Sequence, residues 1–167
     1  MGKPEARRIH MGYEVFVSHS MRQEDLGIVY AAARDARARD INCYIAERDW
    51  QFGHSLPEKI KAHIRTCDCF VAFLTLGGSH SEWVNQEIGC AVGLRRHRIL
   101  VVERGVEIKG FDIGKEYVVL DRINPSKAIA TLNTYLSTLK DVKEKQQIAA
   151  LFVLGVLTLI ALFGGRK

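Results

Sequence analysis

Short, continuously apolar runs alternate with longer stretches of helical spacing along most of this chain. YEVFVSHS (13–20) reads as a strand that ends in a polar turn. Residues 24–39 place Leu26, Val29, Ala33 and Ala36 at helical intervals among Arg and Asp, which predicts an amphipathic helix. INCYI (41–45) is a second strand, and 46–55 is a polar loop containing Gly53. Ser55-Leu56-Pro57-Glu58 forms a capping box that opens a helix to about Thr66, with Ile60 and Ile64 turned inward. CFVAFLT (69–75) is a third strand and LGGSHS (76–81) a turn, with Ser79 or Ser81 capping a helix from Glu82 to about Leu94. RILVVE (98–103) and EYVVL (116–120) are further strands. Pro125 starts a last helix that sets Ala128, Leu132, Leu136 and Leu139 on one face.

Strands that are apolar throughout, alternating with helices, predict a parallel sheet covered on both faces. The expected fold is α/β, a flavodoxin-like three-layer sandwich on a five-stranded parallel sheet. In such sheets ligands bind beyond the carboxyl ends of the strands. The polar loops at 18–23, 46–55 and 76–81 all follow strands, so they share that end, and the site is expected there.

The tail has a different pattern. Ile148 to Phe163 carries no charge, and with Gly164 and Gly165 the stretch has 18 residues. That is roughly 27 Å of helix, the short end of a membrane span. Lys140, Lys143 and Lys145 precede it, which places the globular part in the cytoplasm. The expected organisation is a flexible arm at 1–12, a domain at 13–139, a charged linker at 140–147 and a single-pass transmembrane helix at 148–165.

Composition narrows the classes further. One domain fits 167 residues, and 14 Gly with 3 Pro exclude collagen-like chains. The net charge of +5 is spread along the sequence, which gives no basis for nucleic-acid binding. Cys43, Cys67, Cys69 and Cys90 form no disulfide framework and read as thiols of a reducing compartment. The amino terminus lacks the apolar core of a secretory signal. Val17-Ser18-His19-Ser20 has no acidic pair for Mg²⁺, and neither a dinucleotide fingerprint nor a P-loop is present. Cys67-x-Cys69 lacks partners at ligand spacing, so no metal site is expected.

The remaining constellation is Ser81-Glu82-Trp83-Val84-Asn85-Gln86-Glu87-Ile88. Trp83 and Glu87 are one turn apart, beside a buried stripe of Val84, Ile88 and Ala91. A Trp and a Glu side by side, early in a helix at the ligand end of a parallel sheet, suggest a stacking surface next to a carboxylate. The same spacing also suits a boundary Trp and a solvated Glu.

Three stretches together resemble the TIR (Toll/interleukin-1 receptor) domain family over residues 13 to about 139. YEVFVSHS resembles its first box. AERDWQFGHSLPEKI resembles the second box and BB loop, although His54-Ser55 stands where the family has Pro beside the loop Gly. CDCFVAFLTLGGSHSEWVNQEIGCA resembles the third strand and the helix after it. The late Phe-Trp box has no clear counterpart, which makes the likeness closer to the prokaryotic branch.

The resemblance implies an NAD⁺ glycohydrolase, with NAD⁺ as substrate and no cofactor. Glu87 matches the catalytic glutamate and Trp83 the aromatic position beside it. Ser18 and His19 match the loop after the first strand. Arg48, Asp49 and Phe52 match the BB loop that helps cover substrate. Activity controlled by TIR–TIR self-association is also implied, as are an activating partner protein and a role in anti-phage defence or stress signalling. Hydrolysis and cyclisation to a cyclic ADP-ribose both remain open. The alternative is a non-enzymatic TIR–TIR interaction module, a signalling scaffold in which Glu87 is a surface charge.

Overall fold

The computed structural model describes residues 12–46, 56–78, 81–108 and 117–163, without the side chains of 155–157 and 159–163. The elements are β1 (Tyr13–Ser18), α1 (Gln23–Arg37), β2 (Ile41–Ile45), α2 (Glu58–Thr66), β3 (Cys69–Leu74), α3 (Glu82–Gly93), β4 (His97–Glu103), β5 (Tyr117–Leu120) and α4 (Pro125–Phe163). The sheet has five strands in the order β2-β1-β3-β4-β5, and every pairing is parallel. The expected α/β sheet is therefore observed. Ser81 caps α3, its side chain accepting from the Val84 amide. The capping-box Ser55, the alternative cap Ser79 and most of the arm at 1–12 lie outside the described residues.

Strand alternation sorts the core into two halves. In β3, Cys69, Val71 and Phe73 face α1 and α4, while Phe70, Ala72 and Leu74 face α2 and α3. Val29, Ala32 and Ala36 of α1 meet Ala128, Leu132 and Leu136 of α4 on the first face. Ile60 and Ile64 of α2 join Val84, Ile88 and Ala91 of α3 on the second, where Phe16 stacks on Phe70 with ring centroids 5.5 Å apart. The helical stripes expected for α2, α3 and α4 are the buried ones. In α1 the stripe is rotated, so that Asp25 and Ala32 are buried with Val29 and Ala36.

Helix α4 runs unbroken from Pro125 to Phe163, through the charged segment 140–147. Two lysines tie it to the amino edge of the sheet. Lys140 Nζ donates to the Arg39 carbonyl at 3.0 Å, and Lys143 Nζ donates to Asp68 at 2.7 Å and to the Gly12 carbonyl at 3.1 Å. Farther on, Ile148 and Leu151–Leu154 are exposed. Among the described residues no helix is long and apolar enough to cross a membrane. The expected span at 148–165 finds no support there, and its side chains at 155–157 and from 159 onward lie outside the described residues.

Phe70 is fully buried in the central strand against Phe16. Phe70→Ala is expected to cost about 3–5 kcal/mol through lost transfer energy and the cavity left behind. Urea unfolding at neutral pH reads this directly.

Candidate functional site

Period-two alternation in β1 gives Ser18 the same face as Phe16, the face covered by α3. Ser18 is the last residue of β1, so its hydroxyl lies at the carboxyl edge. There it donates to Glu87 Oε2 of α3 in a short hydrogen bond. Ser18 is 0% exposed and Glu87 1%. A carboxylate this far from water requires hydrogen-bond donors, and Ser18 is one of them. The reading of Glu87 as a solvated surface charge is corrected. The α3 stripe of Val84, Ile88 and Ala91 packs so tightly on the sheet that the Glu87 position is buried with it.

His19 follows Ser18 and is also buried. Its Nδ1 lies 2.6 Å from the Ser20 carbonyl and donates to it. Trp83 sits one turn before Glu87, half-buried at the margin of the core on that side. The structure thus brings Ser18 and Glu87 into contact, with His19 just after β1 and Trp83 on the same helix as Glu87. Arg48, Asp49 and Phe52 lie outside the described residues.

On the opposite face of the same edge lies a second polar cluster, centred on Asp25 of α1. Asp25 Oδ2 accepts from Ser20 Oγ at 2.5 Å and from Thr75 Oγ1 at 2.8 Å. Its Oδ1 accepts from Arg122 Nη2 at 2.7 Å. Arg122 also bonds both oxygens of Glu103, at 2.7 and 2.8 Å, and donates to the Glu24 carbonyl. Glu103 in turn accepts from the Leu76 amide at 2.9 Å. These bonds join the segments that follow β1, β3 and β5 to the last residue of β4. Gly78 completes the join: a Cβ there would stand 2.6 Å from Ser20 Cβ and 2.7 Å from Thr75 Oγ1. Any larger residue forces the two loops apart.

Burial alone raises the Asp25 carboxyl, but the hydrogen bonds from Ser20, Arg122 and Thr75 outweigh it and hold it below its usual range. The Arg122 hydrogen bond likewise lowers Glu103, and the two carboxylates raise Arg122. This cluster was not singled out from the sequence. Arg122 lies 97 positions from Asp25, with no local signal linking them. Asp25 did leave a trace, since an acid at the i−4 position from Val29 falls on the buried stripe of α1.

A family model described as TIR domain matches residues 15–132. No curated protein matches the chain. Among solved structures, the CMP N-glycosidase BcmB of Clostridium botulinum is similar with a TM-score of 0.53 at 16% identity, over 73% of this chain and 98% of that one. The TIR domains of the activated Roq1 resistosome, which directly recognises the pathogen effector XopQ, give 0.47 at 14% identity, over 81% and 78%. Likeness at such identities is likeness of fold.

Replacing Arg122 by Met leaves Asp25 and Glu103 ionised without their cation. With the guanidinium about a third exposed, the expected loss is about 2–3 kcal/mol at pH 7. Both carboxyls titrate lower in the fold than in the unfolded chain, where they lie near ~4. Their contribution is complete above that value and is lost as pH falls through the lowered folded values. Thermal unfolding of wild type and Arg122→Met from pH 7 to 3 is expected to show a gap that narrows below about pH 4.

Proposed function

The chain belongs to the TIR domain family, and on that premise we propose that it is an N-glycosidase acting on the nicotinamide–ribose bond of NAD⁺. The observation that carries this reading is the Glu87 carboxylate, held by Ser18 at the carboxyl edge of the parallel sheet. In NAD⁺ the ring bonded to ribose is a cationic pyridinium, which departs as neutral nicotinamide. No acid has to protonate it, whereas ordinary glycosidases use two carboxylates. One ionised carboxylate beside the sugar stabilises the oxocarbenium-like charge that develops as the bond breaks. Ser18 acts as a positioning residue, limiting the rotamers open to Glu87.

Trp83 offers an aromatic wall for a planar base. Arg48 and His19 are assigned to the pyrophosphate, and Asp49 and Phe52 to the loop that covers substrate. With Glu87 buried in the single chain, substrate reaches it only after the surrounding loops rearrange. This agrees with activation by TIR–TIR self-association, in which a neighbour's BB loop completes the site. A cytoplasmic domain held at a membrane through 148–165 would raise the local concentration of copies and favour that contact. The role assigned is in anti-phage defence or stress signalling, with an activating partner supplying the trigger.

The Clostridium botulinum fold relative is a CMP N-glycosidase, so CMP belongs in the assay beside NAD⁺. Cytosine in CMP is uncharged and leaves as an anion unless protonated. A CMP site therefore needs a proton donor that an ionised Glu87 does not supply.

The test is nicotinamide and cytosine release by the full chain, at high concentration with a crowding agent. Wild type is expected to release nicotinamide, and Glu87→Gln to lower the rate about 100-fold or more with unfolding temperature preserved. Full activity in Glu87→Gln would remove the residue assignment. Cytosine without nicotinamide would move the activity to CMP, and release of neither base by wild type in any assembled state would leave the non-enzymatic scaffold as the function. In the same assay, residues 1–145 are expected to turn over more slowly than the full chain reconstituted in vesicles at equal bulk concentration.

A further inference from the structure

The two edges of the sheet differ in charge. Among the described residues at the carboxyl edge, Glu24, Asp25, Glu87, Glu103 and Asp121 outnumber Arg22, Arg104 and Arg122. At the amino edge the balance reverses. Arg37 ends α1 and Arg39 follows in the turn to β2, both exposed, and Arg65 lies in the last turn of α2. Exposed Arg95, with half-exposed Arg96 and Arg98, surrounds the turn between α3 and β4. Lys140 and Lys143 of α4 cross the same edge. The carboxylates there are Glu14, Asp35, Asp40, Asp68 and Glu144; Asp35 pairs with Arg39, Asp40 and Glu144 with Lys140, and Asp68 with Lys143, while Arg37, Arg65, Arg95 and Arg98 have no carboxylate among these ion pairs. Three helices direct their carboxyl ends to this edge, each equivalent to roughly half a negative charge. That accounts for part of the basic excess and leaves the rest facing solvent.

The apolar stretch of α4 leaves from the same edge. Leu151, Phe152, Val153 and Leu154 are consecutive and all more than half exposed. Successive helical positions are about 100° apart, so these four cover the whole circumference. A partner helix covers one stripe of a helix, two positions in seven for a coiled-coil seam. Only a medium that surrounds the helix covers every side of it. Hydrocarbon is such a medium, and an anionic headgroup layer is the matching neighbour for the basic edge.

We propose that the amino edge of the sheet is an adhesive face for an anionic lipid bilayer, with the exposed apolar turns of α4 entering the lipid beside it. The inference rests on the membrane part of the proposed function and is independent of the role given to Glu87. On this geometry the carboxyl edge, with Ser18 and Glu87, points away from the bilayer, open to soluble substrate and to neighbouring copies.

The test is amide hydrogen exchange on the full chain, reconstituted in vesicles of phosphatidylcholine alone or with phosphatidylglycerol. Exchange is expected to slow in the turns at 37–40, 65–68 and 94–97 only with the anionic lipid, and to recover in high salt. The turn at 75–78, at the opposite edge, is expected not to change. Each basic residue near the surface is worth about fivefold in adhesion, so the triple variant Arg37→Glu, Arg65→Glu, Arg95→Glu is expected to lose the protection. Equal exchange of wild type in both lipids overturns the proposal, as does protection at 75–78 instead. Protection that survives in the triple variant also overturns it. So does equal protection by a DNA duplex without lipid, or by raised protein concentration alone. Failure to float with neutral vesicles, together with protection by anionic ones, removes the anchor and upholds the adhesive face.

Discussion

One guanidinium holds the carboxyl edge of this protein together. Arg122, just after β5, bonds Asp25 of α1 and Glu103 of β4, and through them Ser20, Thr75 and the Leu76 amide. The segments that follow β1, β3 and β5 are thereby held together with the end of β4 in one arrangement. An ion cluster of this kind is expensive to desolvate, and apolar packing of equal volume often stabilises as well. What it supplies is directionality: fixed donors and acceptors specify where each loop leaves the sheet. The close approach of Gly78 to Ser20 follows from that arrangement.

The Ser18–Glu87 pair lies on the other face of the same edge and depends on this framework without touching it. Ser18 leads through His19 into Ser20, and Ser20 is bonded to Asp25. The loop that begins with the hydroxyl against the candidate carboxylate therefore ends in the buried ion cluster. The family assignment and the position of the site at the ends of parallel strands are consistent with each other. The first follows from the match over residues 15–132, the second from strand direction alone.

The sheet was legible because its strands are continuous apolar runs, and buried parallel strands have no polar face to confuse the pattern. CFVAFL is buried at every position. The placement of Trp83 and Glu87 on one helix was legible from spacing, and a solvated Glu87 was the competing reading that burial of the α3 stripe removes. Contacts between distant polar residues were not legible. Periodicity reports which face a residue occupies and says nothing about which of many charged residues it meets across 97 positions. The charges of segment 140–147 suit a solvated linker. Long lysine side chains reach back to backbone carbonyls and to Asp68, so a polar helix is held against the domain without an apolar face.

Because α4 passes from the domain into its distal half with no intervening turn, helical phase is conserved along it. One residue inserted between Lys145 and Ile148 would rotate everything beyond it by about 100° and advance it by about 1.5 Å, while seven would return it close to its starting azimuth. The domain and the distal helix are therefore geared to each other. The bearing of the carboxyl edge about the helix axis is set by a residue count.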